Sequence, residues 1–359
     1  MKYKISRTEK TEIKVVDSLE SIKSMNLKSD KVCLITDNFC LEKFSREISV
    51  IKKISGTSFF YVYVIGEKEP KTIKNYEKAV AFLVNKKFSR QSRIFALGGG
   101  GVSDFAGFIA STFMRGIRCV FFPTTFLSQI DAASGGKNAL NISGFKNIIG
   151  VFSQPELIIC NISFLKTRAG IIKNGAGELI KYMFLDRKKF PKDIKKFYGK
   201  IKSLDLQTLK KAVRTCLDIK THTVIRDPLD KTGIREVLNL GHTAGHAFES
   251  ASDNRISHGE AVLWGLRYAY LLSVEILHVK ERFKREAQTL LNLENPDKKI
   301  NDIKFADFYR GVSIDKKRKG INNRFILLKN FGKTQPVENL NKKTLELVLR
   351  RLKHEYSDN

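Results

Sequence analysis

Arg93-Ile94-Phe95-Ala96-Leu97-Gly98-Gly99-Gly100-Gly101, followed by Asp104-Phe105-Ala106-Gly107-Phe108-Ile109-Ala110, is the stretch that decides the fold. The apolar run 93–97 reads as a buried strand, and the segment from Asp104 reads as a helix. Four glycines between a strand and a helix N-terminus have a physical purpose. Without Cβ atoms the backbone can approach a pyrophosphate, and free N–H groups meet its oxygens. The spacing is not Gly-x-Gly-x-x-Gly, so the usual dinucleotide fingerprint does not apply. A tight turn at positive φ is the purely structural alternative. The position directly after a buried strand favours a phosphate cradle, without saying which nucleotide it holds.

The neighbouring segments repeat the pattern. Residues 31–37 (Lys-Val-Cys-Leu-Ile-Thr-Asp) and 59–65 (Phe-Phe-Tyr-Val-Tyr-Val-Ile) read as strands, 73–84 as a helix, and 119–122 as a strand ending at Pro123-Thr124-Thr125. Such alternation predicts a parallel α/β sheet with ligands at the strands' carboxyl ends. Next comes Gln129-Ile130-Asp131-Ala132-Ala133-Ser134-Gly135-Gly136-Lys137, then Asn141 and Lys146-Asn147. A lone Gly-Gly-Lys is ordinarily a solvated loop. Between two other polar glycine motifs it reads as an anion-binding loop. From about residue 168 helical periodicity takes over, at 194–201, 206–219 and 258–277. The boundary is placed near Thr167 to Gly170, dividing an α/β domain (1–168) from a mainly helical one (169–359).

The chain has six histidines, and His242, His246 and His258 lie close together. His242 and His246 stand at i, i+4 and share a helix face. His258 follows a break at Asp253-Asn254, where a turn could bring it back. Clustered imidazoles suit zinc or a similar ion, although an i, i+4 pair alone fits a half-buried helix equally well. Glu178 and Lys181, at i, i+3, would on a surface form an ion pair worth little. Among Leu179, Ile180, Tyr182, Met183 and Phe184 such charges require a partner or a metal. Lys220 lies on a helix expected over 208–225. Asn239, His242 and His246 are expected to form one continuous stripe at i, i+3, i+7, unlike core packing, which would favour leucine there. Together with Arg235 these residues predict a metal site beside an anionic substrate. Later segments say less: a basic helix at 281–291, a charged turn at 315–320 before a strand at 324–328, and a closing amphipathic helix at 343–352.

Composition excludes some classes. With 359 residues and 42% hydrophobic residues the chain is globular rather than disordered. Its formal charge of +28 is spread along the chain. A basic surface could meet nucleic acid or an acidic membrane. With no zinc knuckle, no aromatic RNA-binding signature and no dense basic helix, a lysine-rich surface around a site for a small anion is favoured, with no nucleic-acid partner. Five scattered cysteines without a Cys-x-x-Cys suit a reducing compartment. The segment 1–12 has no apolar core of a signal peptide, and no run approaches the roughly eighteen apolar residues of a membrane span. A cytoplasmic location without membrane attachment is the expectation.

The ordered motifs GGGGVSDFAGF (98–108), STFMRG (111–116), PTTFLSQIDAASGGK (123–137), KNIIGVFSQP (146–155), GAGELIK (175–181), GIREVLNLGHTAGHAFE (233–249) and HGEAV (258–262) resemble those of the 3-dehydroquinate synthases and the wider sugar phosphate cyclases. The likeness covers roughly residues 30 to 330. It implies a Rossmann-like NAD-binding domain, a helical metal-binding domain, and a homodimer. The implied substrate is a phosphorylated sugar acid, 3-deoxy-D-arabino-heptulosonate 7-phosphate, converted to 3-dehydroquinate and phosphate. The implied course is transient oxidation by NAD, β-elimination of phosphate, re-reduction and aldol closure. The resemblance places metal ligands (zinc or cobalt) on Glu178, His242 and His258, and turns His246 from a ligand into a substrate contact. Substrate positions fall on Asp131, Lys137, Asn147, Lys181, Lys220, Arg235, Asn239 and His246, with Arg115 supplied across the dimer and one of Lys316 or Lys317. NAD positions fall on Asp37, Glu67, Lys71, Gly100, Gly101, Val102, Ser103, Asp104, Thr124, Thr125, Lys137, Lys146, Phe164, Leu165, Lys166 and Thr167.

This chain departs from the family pattern in places. Ser103 stands where glycine is usual and is expected to crowd the cofactor loop slightly. The segment 67–71 is one residue longer, 167–171 lacks the usual Leu-Pro and Arg-Glu, Gly177 replaces alanine, and the turn 227–230 carries an extra residue. These departures keep a second reading open, a sister cyclase acting on another sugar phosphate such as sedoheptulose 7-phosphate. An NAD-dependent alcohol dehydrogenase of similar architecture is a third, and net NADH accumulation would reveal it.

Overall fold

The computed structural model describes residues 10–66, 70–143, 145–167, 170–253, 255–296, 300–314 and 323–356. It divides into two compact units, Met1–Ala169 with Leu209–Leu217, and Gly170–Thr208 with Asp218–Asn359.

The first unit contains β1 (Glu12–Val16), β2 (Val32–Asp37), α1 (Asn38–Lys43), α2 (Ser45–Ser55), β3 (Phe60–Ile65), α3 (Ile73–Asn85), β4 (Arg93–Gly98), α4 (Gly100–Thr112), β5 (Arg118–Pro123), β6 (Lys137–Ile142), β7 (Phe145–Phe152) and β8 (Leu157–Asn161). Six of these strands form one sheet in the order β1-β8-β5-β4-β2-β3, and every pairing within it is parallel. The inner strands β4 and β8 are buried at every residue and β2 at all but its last, as expected of parallel strands covered on both faces. Alternate residues Val32 and Leu34, Phe95 and Leu97, Val120 and Phe122, and Leu157 and Ile159 share one core with Phe44, Ile51, Ile54 and Phe164. From β2 the chain steps outward to β3; from β4 it steps the other way, to β5 and β8. The carboxyl ends of β2 and β4, at Asp37 and Gly98, therefore flank the point where strand order reverses, where open α/β sheets bind ligands.

Two features differ from the sequence expectation. The helix after the glycines begins at Gly100 rather than Asp104, so two glycines lie in its first turn. The presumed anion loop around Lys137 is the entry to an antiparallel hairpin: Gly135 and Gly136, at φ +99° and +70°, lead into β6, which pairs with β7. All five cysteines are buried free thiols.

The second unit contains α5 (Lys173–Leu185), α6 (Ile194–Lys202), the ends of α7 (Leu206–Arg226), α8 (His242–Ala251), α9 (His258–Leu277), α10 (Glu281–Leu291), α11 (Phe305–Ile314), β9 (Arg324–Asn330), β10 (Lys333–Glu338) and α12 (Lys342–Tyr356). Helix α9 is buried on every side from Gly259 to Ser273, which marks it as the central helix. Glycines let its backbone touch its neighbours. A Cβ on Gly265 would lie 1.9 Å from the Gly241 carbonyl oxygen, and one on Gly259 would lie 2.3 Å from that of Asn174. These contacts hold α9 against the start of α5 and against the turn that leads into α8. Among the described residues no helix is long and apolar enough to cross a membrane.

Candidate functional site

Glu178 lies midway along α5, His242 is the first residue of α8 and His258 the first of α9. Two caps fix the histidines. Gly241 precedes α8 at φ +80°, a left-handed conformation that only glycine takes without strain. Ser257 and Glu260 form a capping box at the start of α9, with the Ser257 hydroxyl 2.7 Å from Glu260 Oε2. The potential ligand atoms of Glu178, His242 and His258 lie within 4.8 Å of one another. His242 Nε2 is 3.1 Å and His258 Nε2 is 3.7 Å from the same oxygen, Glu178 Oε1.

Glu178 is fully buried, and neither of its carboxylate oxygens has a hydrogen bond of acceptable geometry. Burial pushes its carboxyl upward, but Lys181, His242 and His258 outweigh that and hold it well below the ordinary range. Lys181, itself buried, pairs with Glu178 Oε2. Burial lowers the pKa of His242. His258 is also opposed by burial, yet Glu178 and Glu249 raise it to about 10. A buried carboxylate facing two Nε2 atoms is a donor set that fits a borderline divalent cation such as zinc.

Spacing alone misplaced one feature. Asn239 ends a short 3-10 turn, Ile234–Asn239, and left-handed Gly241 separates that turn from α8. Asn239, His242 and His246 therefore do not form one continuous helical stripe. His246 is exposed one turn along α8. With Glu249 and His258 it forms a second convergent group. Glu249 is not among the residues expected from sequence; its i, i+3 spacing from His246 is the signal that points to it. The remaining expected residues of this unit are placed as follows. Lys220 and Arg235 are buried. Arg235 donates through Nη1 to the Pro228 carbonyl at 3.0 Å. Asp227 receives the backbone N–H groups of Lys231, Thr232 and Arg235. Lys316 and Lys317 lie outside the described residues.

In the first unit, α4 is preceded by Gly99 as its N-cap, with no side-chain cap hydrogen bond and no acidic residue in its first turn. Its leading N–H groups are thus available to an anion. Gly98 also serves packing, since a Cβ there would lie 2.4 Å from Val102 Cγ2. Ser103 turns its hydroxyl back onto the Gly99 carbonyl at 3.3 Å. Lys71 Nζ lies 2.7 Å from both Asp104 Oδ2 and Asn147 Oδ1, which joins three of the expected residues. Asp37 caps α1 through the Cys40 N–H at 2.7 Å. Thr124 is buried, Thr125 half-buried, and Asp131 sits in the π-helical turn Ser128–Ala132. Lys137, Lys146 and Asn147 are exposed on the hairpin. The side chains of Phe164 and Leu165 belong to the core, so only their backbone could face a ligand; Lys166 is exposed and Thr167 bonds the Phe164 carbonyl at 2.7 Å. Arg115 is exposed at φ +68°, after Met114 at φ +50°. Glu67 lies outside the described residues.

Comparison with known proteins identifies the family. Residues 61–171 match the model of the 3-dehydroquinate synthase N-terminal domain, and residues 175–318 match that of its C-terminal domain. The 3-dehydroquinate synthase of Clostridium tetani (strain Massachusetts / E88) is 37% identical over 330 residues, covering 91% of this chain and 87% of the relative. Among solved structures, 2-deoxy-scyllo-inosose synthase complexed with carbaglucose-6-phosphate, NAD+ and Co2+ superposes with a TM-score of 0.82 at 23% identity, over 95% of this chain and 96% of that one. ValA, the 2-epi-5-epi-valiolone synthase from Streptomyces hygroscopicus subsp. jinggangensis 5008 with NAD+ and Zn2+ bound, superposes with a TM-score of 0.82 at 19% identity, over 99% and 100%. At these identities the two structures establish a shared fold.

Proposed function

This chain belongs to the 3-dehydroquinate synthase family, and we propose that it converts 3-deoxy-D-arabino-heptulosonate 7-phosphate into 3-dehydroquinate and phosphate, as a phosphate-eliminating lyase dependent on NAD and a divalent metal. The observation that carries the reading is the convergence of buried Glu178 with the half-buried His242 and His258 beside the cation of Lys181. Glu178, His242 and His258 would hold the metal, which when bound supplies a Lewis acid that eases loss of a hydroxyl proton as hydride departs. The α4 N-terminus and the end of β2 at Asp37 would hold NAD, a hydride acceptor that is regenerated within the cycle.

The protein's own groups have defined tasks. Lys181, Lys220 and Arg235 are buried cations that would give the site a positive field suited to an anionic substrate. Arg235 adds the planar fork that suits a carboxylate or phosphate. Asn239 and His246 would orient hydroxyl groups. Roles for Asp131, Lys137, Asn147 and Arg115 in substrate binding, and the supply of Arg115 by a second copy, rest on the family resemblance. The two units would then be an NAD-binding and a metal-binding domain.

The test is a single assay. Zinc-loaded protein with NAD is mixed with the heptulosonate phosphate while phosphate release and NADH absorbance are followed together. Phosphate release with 3-dehydroquinate formed and no lasting NADH is the expected result. Lasting NADH would identify a dehydrogenase. No phosphate release, with both cofactors bound, would exclude this substrate; sedoheptulose 7-phosphate is then the one to try.

A further inference from the structure

Both histidines of the proposed metal trio turn Nδ1 towards an oxygen, but oxygens of different kinds. His242 directs Nε2 at Glu178 Oε1, while its Nδ1 lies 3.2 Å from the Leu240 carbonyl. A carbonyl oxygen only accepts, so Nδ1 carries the proton and Nε2 is left as a lone-pair donor. His258 directs Nε2 at the same Glu178 oxygen, and its Nδ1 lies at ion-pair distance, 3.6 Å, from Glu249 Oε2. Where His242 has a carbonyl, this ring has a carboxylate. The side chain of Glu249 is 11% exposed, on the α8 face turned towards α9.

The turn between α8 and α9 holds this pair in register. The Ser252 hydroxyl donates to the Glu249 carbonyl at 3.0 Å and accepts the Ile256 N–H at 3.2 Å. Arg255 Nε donates to the Ser252 carbonyl at 3.0 Å. The Ser257–Glu260 box then starts α9 directly at His258. Backbone and capping together fix His258 relative to Glu249, and the ring has one remaining freedom, rotation of its own side chain.

We propose that Glu249 is the positioning residue for the metal centre: its carboxylate accepts the Nδ1–H of His258, which selects the tautomer and ring orientation that aim Nε2 at the ion held with Glu178 and His242. This rests on the metal-dependent reading of the site. It also settles the meaning of the second convergent group, His246, Glu249 and His258. One imidazole cannot donate its Nδ1 proton to Glu249 and offer the same nitrogen to a second cation. With Nε2 committed to the first ion, the second group is a hydrogen-bonded support and not a second metal site. Metal-bound histidines commonly donate their other N–H to a carboxylate in this way, and removing such a partner typically weakens metal binding by about 10- to 100-fold.

The test uses the full chain stripped of metal and titrated with zinc against a chromophoric chelator, for wild type, Glu249→Ala, Glu249→Gln and His242→Ala. The proposal expects one tight zinc in the wild type and affinity about 10- to 100-fold weaker in Glu249→Ala. It expects partial recovery in Glu249→Gln, whose amide oxygen still accepts a hydrogen bond, and an altered visible spectrum of the Co2+ form of Glu249→Ala. Thermal midpoints of the metal-free proteins separate this from loss of folding. Should Glu249→Ala not fold, long-range 1H–15N spectra of the zinc-loaded wild type must show His258 protonated on Nδ1, and a deprotonated Nδ1 overturns the proposal. Wild-type affinity and spectrum in Glu249→Ala, beside a lost zinc in His242→Ala, overturn the role of Glu249 and leave the metal reading intact. Two zinc ions in the wild type, one of them lost in Glu249→Ala, make Glu249 a ligand and also overturn it. No zinc in the wild type removes the metal reading and this proposal together.

Discussion

Asp227 shows how a residue that touches no substrate governs one proposed to do so. Its Oδ1 receives the N–H groups of Lys231 and Thr232 at 2.8 and 3.2 Å, and its Oδ2 receives that of Arg235 at 3.3 Å. Burial raises the carboxyl, but these backbone donors lower it from its ordinary 3.8 to about 2. Asp227→Asn must turn an amide NH2 towards at least one N–H, so the turn that presents Arg235 loosens. Steady-state kinetics should then show KM for the anionic substrate rising several-fold with a smaller change in kcat. Because the folded pKa is depressed, the stabilisation is present above about 3.8 and is lost as pH falls through about 2. The gap in thermal midpoint between wild type and variant should therefore narrow from pH 4 to pH 2. A second contrast concerns the histidines. His242→Ala should lose zinc in a metal-content assay and His246→Ala should retain it; equal loss would refute the assigned roles. At this scale the sequence was partly legible. The i, i+4 spacing pairs His242 with His246, yet the atoms nearest His242 Nε2 include Glu178, more than sixty positions away in the chain. Only the fold or a family pattern brings such residues together, and Glu249 drew no notice because a glutamate on an amphipathic helix is ordinarily solvated.

The ligand-bearing helices are positioned by backbone contact, so their glycines should be intolerant. Gly265→Ala would put a methyl 1.9 Å from the Gly241 carbonyl oxygen and 2.8 Å from the Gly245 nitrogen, both backbone atoms that cannot swing aside. Helix α9 must then move from α8, and with it His258 from His242. Overpacking of this kind costs about 1–3 kcal/mol, occasionally more. A urea titration should show that loss together with weaker zinc binding, whereas unchanged values would mean that the helices yield without cost. The same backbone geometry explains what periodicity could and could not reveal. Strands β2, β4 and β5 were legible as apolar runs because both faces of a parallel strand are buried. The edge strand β1, with the burial of one exposed and four half-buried residues, has no such run. The hairpin β6–β7 was missed because its polar residues, Lys137, Asn141, Lys146 and Asn147, suggested an anion-binding loop. The break between Asn239 and His242 was visible as Gly241, yet a glycine within a helical pattern signals a stop only when its φ is positive, and sequence does not give φ.

Two properties of the whole chain bear on its assembly, and they oppose each other. Phe145, Ile148 and Phe152 on β7 are 60%, 66% and 43% exposed, and Ile142 on β6 is 38% exposed, so the hairpin carries four large apolar side chains in contact with water. Ile148 and Phe152, four positions apart on one strand, share a face of the hairpin, and a homodimer of the kind the family resemblance implies would have an apolar surface of this sort to cover. Against it stands the charge of +28 on each chain, which makes two copies repel at long range. The exposed residues are apolar and the opposing term is Coulombic, so salt should act in one direction. Raising ionic strength from low to physiological values shortens the Debye length to about 8 Å, screens the repulsion and leaves apolar burial in place. If two copies pair through this hairpin, sedimentation velocity should show the dimer tightening as salt rises, the reverse of an interface held by ion pairs. Ile148→Asp, which places a charge on the most exposed of these residues, should dissociate it while zinc binding by Glu178, His242 and His258 persists. If Arg115 of one copy serves the other, that monomer should hold zinc and NAD yet release little phosphate, and activity should return only on conditions that restore the dimer. A fully active monomer would place Arg115 outside the reaction.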